Sequence, residues 1–131
     1  MPITMTRKGP MPSDKSLHKA ELRAIEGLDR PLESDHGAYL RFEFEFISSD
    51  YAEWTASAVT STTLNEYSRL GVLLRAMIGD AGFEAIEDES DITPLLKDLV
   101  GQRFDIVIAH RVTDAGTTFL DVASVSPVLI G

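Results

Sequence analysis

The stretch "AYLRFEFEF" alternates without a break: Leu40, Phe42, Phe44 and Phe46 fall on one side, and Tyr39, Arg41, Glu43 and Glu45 on the other. A period of two places every second side chain on the same face of a strand, so this segment predicts a strand with one apolar and one polar face. "LHKAELRAI" shows the same pattern more weakly, with Ala20, Leu22 and Ala24 opposite Lys19, Glu21 and Arg23. It reads as the first strand, with a helix as the competing assignment because its residues also favour helix. Between the two, "GLDRPLESDHG", residues 27–37, is rich in turn formers and reads as a long connection. After the turn "SSD", the residues from Tyr51 to Thr60 favour extended backbone and form a third strand, with Trp54, Ala56 and Ala58 opposite Thr55, Ser57 and Val59.

The period then changes. Leu64, Tyr67, Leu70, Leu74, Met77 and Ile78 recur at spacings of three and four, the stripe of an amphipathic helix. Thr63 and Glu66 have the spacing of a capping box at its start, and Gly79 or Gly82 would end it. "DITPLLKDLVG" predicts a short second helix capped by Thr93, with Pro94 in its first turn and Gly101 at its stop. "RFDIVIAHRV", residues 103–112, is a fourth strand, with Phe104, Ile106 and Ile108 on one face and Val107 and Ala109 on the other. "TDAG" turns the chain into a last strand, "TTFLDVASV". The expected fold is mainly β, a barrel with one principal helix. The order β-β-β-α-(short α)-β-β is that of a five-stranded OB-fold Greek-key barrel. Residues 1–16, with three prolines and a glycine, read as a flexible N-terminal tail; residues 17–127 are the OB-fold domain and 128–131 a C-terminal tail.

A small barrel is filled by its own side chains, which assigns the three phenylalanines to its interior. Composition adds constraints. The chain has 131 residues, enough for one domain, and no cysteine, which excludes disulfides, thiolate metal sites and a cysteine nucleophile and suits the cytoplasm. No stretch approaches the roughly 18 apolar residues of a spanning helix, so no membrane partner is expected. The net charge is −9, unevenly spread: residues 1–30 hold six basic and four acidic side chains, residues 31–131 six and seventeen. Five carboxylates fall within "FEAIEDESDI", residues 83–92, a run that reads as a solvated loop.

Catalytic motifs are missing: there is no GxSxG, HExxH, GxGxxG or phosphate-binding glycine loop, so no enzyme and no cofactor is expected. His18, His36 and His110 are scattered and lack metal-ligand spacing, so no metal site is assigned. Glu43 and Glu45 share an outward face beside Arg41 and read as solvated rather than as a catalytic pair.

The segment "DITPLLKDLVGQRFDIVIAHRVTDAGTTFLDVASVSP" resembles the ending of small OB-fold proteins of bacteriophages and plasmids, described as single-stranded-DNA-binding or replication-associated. The resemblance is carried by Leu99, Gly101, Val107, His110, Gly116, Phe119, Val122, Val125 and Pro127. "YLRFEFEF" and "LGVLLRAMIG" precede them in the family's order, so the likeness spans roughly residues 17–127. It implies single-stranded nucleic acid as a partner. An OB-fold binds through the outward face of its second and third strands, which nominates Tyr39, Arg41, Tyr51 and Thr55, extended by Arg111 and Phe119 on the last hairpin. Arg7, Lys8 and Lys15 would add electrostatic attraction from the tail. The alternative expectation is an acidic protein-interaction or assembly module on the same barrel, with oligomers possible, or a mimic of nucleic acid.

Overall fold

Alternation decides the centre of the molecule. The computed structural model describes residues 3, 11–30, 32–35, 37–47, 49–51, 54–88 and 90–127. Six strands form one sheet accompanied by two helices, a mainly β architecture. In order these are β1 (Leu17–Glu26), β2 (Leu32–Ser34), β3 (Gly37–Phe46), β4 (Thr55–Ser61), α1 (Arg69–Glu84), α2 (Thr93–Leu99), β5 (Arg103–Val112) and β6 (Thr118–Pro127). β1 pairs antiparallel with both β3 and β5, β3 with β2 and β4, and β5 with β6, while a parallel bridge between Ser57 and Asp121 joins β4 to β6.

The apolar rows meet in one core. Phe42 and Phe44 are completely buried, and Phe46, Leu22, Phe104, Ile106, Ile108, Ala56 and Ala58 join them. Phe44 meets Phe104 edge to face with centroids 6.4 Å apart, a favoured arrangement of ring quadrupoles. α1 packs on β4 and β6 and contributes Leu70, Leu73, Leu74 and Met77, whereas α2 packs on β1 and contributes Leu96 and Leu99.

Several expectations need correction. The 27–37 connection contains β2, a three-residue strand that pairs back on β3 with Ser34 opposite Gly37, because a tight hairpin suffices to reverse the chain. Six strands therefore stand where five were expected. β1 carries a bulge between Leu22 and Ala24, which puts two residues of β1 opposite one step of β3 and turns Ile25, not Ala24, into the core. Tyr51 is in a 3₁₀ turn, Ser49–Tyr51, and β4 begins only at Thr55.

The helix boundaries also differ. Ser68, not Thr63, caps α1: its Oγ accepts from the Gly71 amide at 3.0 Å, while Asn65 Oδ1 accepts from the amides of Tyr67 and Ser68, each at 2.8 Å. These short side chains satisfy the orphan donors locally. The Thr63–Glu66 spacing therefore has no helix to cap, and Tyr67, expected in the apolar stripe, is 90% exposed. Gly79, at φ 85° and ψ 164°, breaks the helical path, but the chain resumes helix to Glu84. α2 starts after Ile92; the Asp91 carboxylate accepts from the Thr93 amide, so Thr93 is the capped residue and not the cap.

Of the segment expected to be a tail, residues 3 and 11–16 are described, and residues 11–16 lie against β5 just ahead of β1. The Lys15 amide donates to Ile108 O and the Ile108 amide to Ser16 O, at 2.9 and 3.1 Å. The His110 amide donates to Asp14 Oδ1 at 2.8 Å, and His110 Nε2 to the Pro12 carbonyl at 2.7 Å. A carbonyl only accepts, so Nε2 carries the proton. Pro12 itself is fully buried. No helix among the described residues is long and apolar enough to cross a membrane.

Candidate nucleic-acid interface

The polar row that alternation assigns to the outside of β3 lies beside the polar row of β4. Arg41 pairs in register with Val59, Glu43 with Ser57 and Glu45 with Thr55. All of these but Glu45 line a groove of about 460 Å³, whose lining includes Arg41, Thr55 and Phe119 of the expected set, with Glu26 and Glu43. Phe119 is 41% exposed at the start of β6, where the β5–β6 hairpin overhangs the strands. A second groove of about 410 Å³ adjoins the first through Arg41 and Val59 and runs past Tyr39 toward β2. Arg111 pairs in register with Phe119 on the hairpin. Tyr39, Arg41, Thr55, Arg111 and Phe119 thus share one surface, with an aromatic ring toward each end.

Tyr51 does not join them. It is half-buried among Phe46 and His18, with its centroid 6.2 Å from that of Phe46 and 5.1 Å from that of His18. Its position in the 3₁₀ turn, outside β4, removes it from the alternation that was used to place it. Of the tail cations, Lys15 is exposed beside β5, and Arg7 and Lys8 lie outside the described residues. Trp54 is half-buried against the core, consistent with its expected side.

Electrostatics temper the surface. Arg41 lies 3.5 Å from Glu26, Arg23 3.2 Å from Glu45, and Arg111 3.4 Å from Asp121, which Arg69 also meets at 3.1 Å. Each guanidinium on or beside the groove already has a carboxylate. Such exposed pairs contribute at most about 1 kcal/mol, so a phosphate can displace them, but the exchange gains little net charge neutralisation. Asp121 is the most sheltered of these acids and is shared by two arginines, which pins the base of the hairpin to the start of α1.

Sequence reasoning missed two features. A second cluster at the β1 start holds His18, whose Nε2 donates to Ser16 Oγ at 2.6 Å, that hydroxyl donating onward to Ser13 O. Burial against Phe46 and Tyr51 pushes the His18 pKa down. Asp14 is held below the usual carboxylate range, chiefly by the His110 amide, and Asp91 by Thr93. The second feature is a cleft between α1 and the acidic connection, lined by Tyr67, Phe83 and Ile86. The exposed aromatic inside an otherwise helical stripe was its only signal. Among the described residues no three metal-ligating side chains converge.

No protein-family model matches the chain, and no curated protein matches it at a significant level.

Proposed function

We propose that the protein is a non-enzymatic OB-fold binder of single-stranded nucleic acid, working in the cytoplasm as a replication or recombination accessory of a phage or mobile element. The ring of pairings β1–β3–β4–β6–β5–β1, with α1 between β4 and β5, supports reading the sheet as an OB barrel to which β2 is appended. The observation that carries the function is the pair of adjoining grooves on β3 and β4, with Tyr39 and Phe119 flanking Arg41.

In this reading, bases stack on the two rings while the backbone follows the grooves. Stacking contributes about 1–3 kcal/mol per base and does not depend on sequence. The paired arginines contribute less than free ones. Binding is therefore led by stacking, and its salt dependence is shallow: with two arginines engaged, log Kd against log salt has a slope of about 1–2. Fluorescence anisotropy of labelled oligothymidylate at low salt tests this. Micromolar binding is expected, weakened about tenfold or more by Tyr39→Ala or Phe119→Ala. No binding at tens of micromolar protein, or indifference to both substitutions, would exclude it.

A further inference from the structure

The cleft behind Tyr67 does not belong to the nucleic-acid surface; the two share no lining residue. It measures about 650 Å³ and adjoins, at Leu64 and Ser90, a second cleft of about 310 Å³ beside α2. The joint floor is apolar: Leu64, Phe83 and Ile86 in the first part, Leu28, Leu40 and Ile92 in the second. Leu40 belongs to the buried core, and the other five pack against its margin while turning part of their surface to the two clefts.

The rim has the opposite character. Glu66, Glu84, Glu87 and Asp88 line the first cleft and Asp91 the second. Arg75 is the one cation among the described lining residues, and it is already engaged, with its guanidinium 4.6 Å from the Phe83 centroid and its Nε 3.6 Å from Asp80. Asp91 is held ionised by the Thr93 amide. An apolar floor between carboxylate rims complements a segment with apolar anchors and basic flanks. Nucleic acid, whose backbone is anionic, is repelled by the same rim. The exposed Tyr67 ring offers the amphipathic contact typical of a binding hot spot.

We propose that this channel receives a basic amphipathic segment of a partner protein, rich in lysine or arginine and anchored by aliphatic side chains. The occupant is recognised by charge complementarity at the rim and apolar burial at the floor. One protein would then hold nucleic acid on one surface and a protein on another.

Anisotropy of a labelled peptide alternating lysine and leucine tests the proposal, with the glutamate–leucine counterpart as control. The basic peptide should bind and the acidic one should not. Tyr67→Ala should weaken binding about tenfold and the double variant Glu84→Gln/Glu87→Gln about fivefold. The double variant Glu33→Gln/Asp114→Asn removes the same charge away from the channel and should leave the peptide affinity unchanged. Oligonucleotide binding should not change in the channel variants. Equal loss in the two charge-removing double variants would reduce the effect to net charge and overturn the proposal, as would binding of both peptides alike. Concentration-dependent self-association that Tyr67→Ala abolishes, without peptide binding, would assign the channel to a second copy and overturn it too.

Discussion

Arg41 is central to the groove yet spends its charge on Glu26, 3.5 Å away. Relieving that competition tests whether the arginine meets phosphate. Glu26→Gln should raise oligonucleotide affinity about two- to fivefold and steepen the salt dependence, measured by anisotropy across a salt series. Stability should stay within about 0.5 kcal/mol, since the pair is exposed. His18 makes a different prediction. Burial lowers its folded pKa below 6.5, so the unfolded chain binds the proton more readily. Its contribution is fully present above about pH 6.5 and is lost as pH falls through the lowered value. Urea unfolding at pH 7.5 and 5.5 should show a larger loss for the native chain than for His18→Gln. Equal losses would mean that the ring titrates as freely in the fold as in the unfolded chain.

At the scale of elements, α1 shows how a helix start is chosen by side chains that the spacing rules pass over. Gly71 sits so close to the Asn65 carbonyl that a Cβ there would meet its oxygen at 1.8 Å. Gly71→Ala must therefore displace the Asn65–Ser68 turn, and a loss of about 2 kcal/mol or more in chemical denaturation is expected. Ser68→Ala removes the cap together with the hydroxyl's two contacts to the Asn65 backbone, without a steric clash, and should cost about 1–2 kcal/mol. The β3 row is simpler: Phe42 and Phe44 are sealed in the core, and Phe44→Ala should cost about 3–5 kcal/mol. Because neither ring reaches the surface, these phenylalanines are not available to stack on bases, and the proposed function assigns that role to Tyr39 and Phe119 instead.

For the whole molecule, the order of pairings brings residues 11–16 against β5. Four hydrogen bonds and the burial of Pro12 join them to Ile108 and His110. A chain beginning at Leu17 should be less stable by about 2–4 kcal/mol, since each such bond contributes about 1 kcal/mol. Equilibrium urea unfolding of the two chains gives the difference directly; a loss of under about 0.5 kcal/mol would mean that the segment only rests on the edge. The net charge of −9 acts at this scale as well, because both proposed surfaces lie on one acidic molecule. On the proposed nucleic-acid surface Glu26 and Asp121 are paired with arginines, whereas the proposed channel would use the carboxylates of its rim to attract a basic partner.

Period and turn chemistry made the main strands, the helical stretch and the buried phenylalanine row legible, because a strand with one wet face and a helix with one apolar stripe cannot be built without those repeats. The grouping of Tyr39, Arg41 and Thr55 followed from the same alternation. Tyr51 lay beyond its reach, since a single residue spent in a 3₁₀ turn resets the facing of everything before it. The bulge in β1, the return of β2 on β3 and the docking of Pro12 on β5 depend on contacts between residues far apart in the chain, and no local pattern encodes them. The ion pairs that occupy the arginines, and the acidic channel behind Tyr67, were decided only when the sheet brought β1, β3 and β6 together and α1 met the connection to α2. Charge in a sequence is a sum, whereas binding depends on where the fold leaves each charge unopposed.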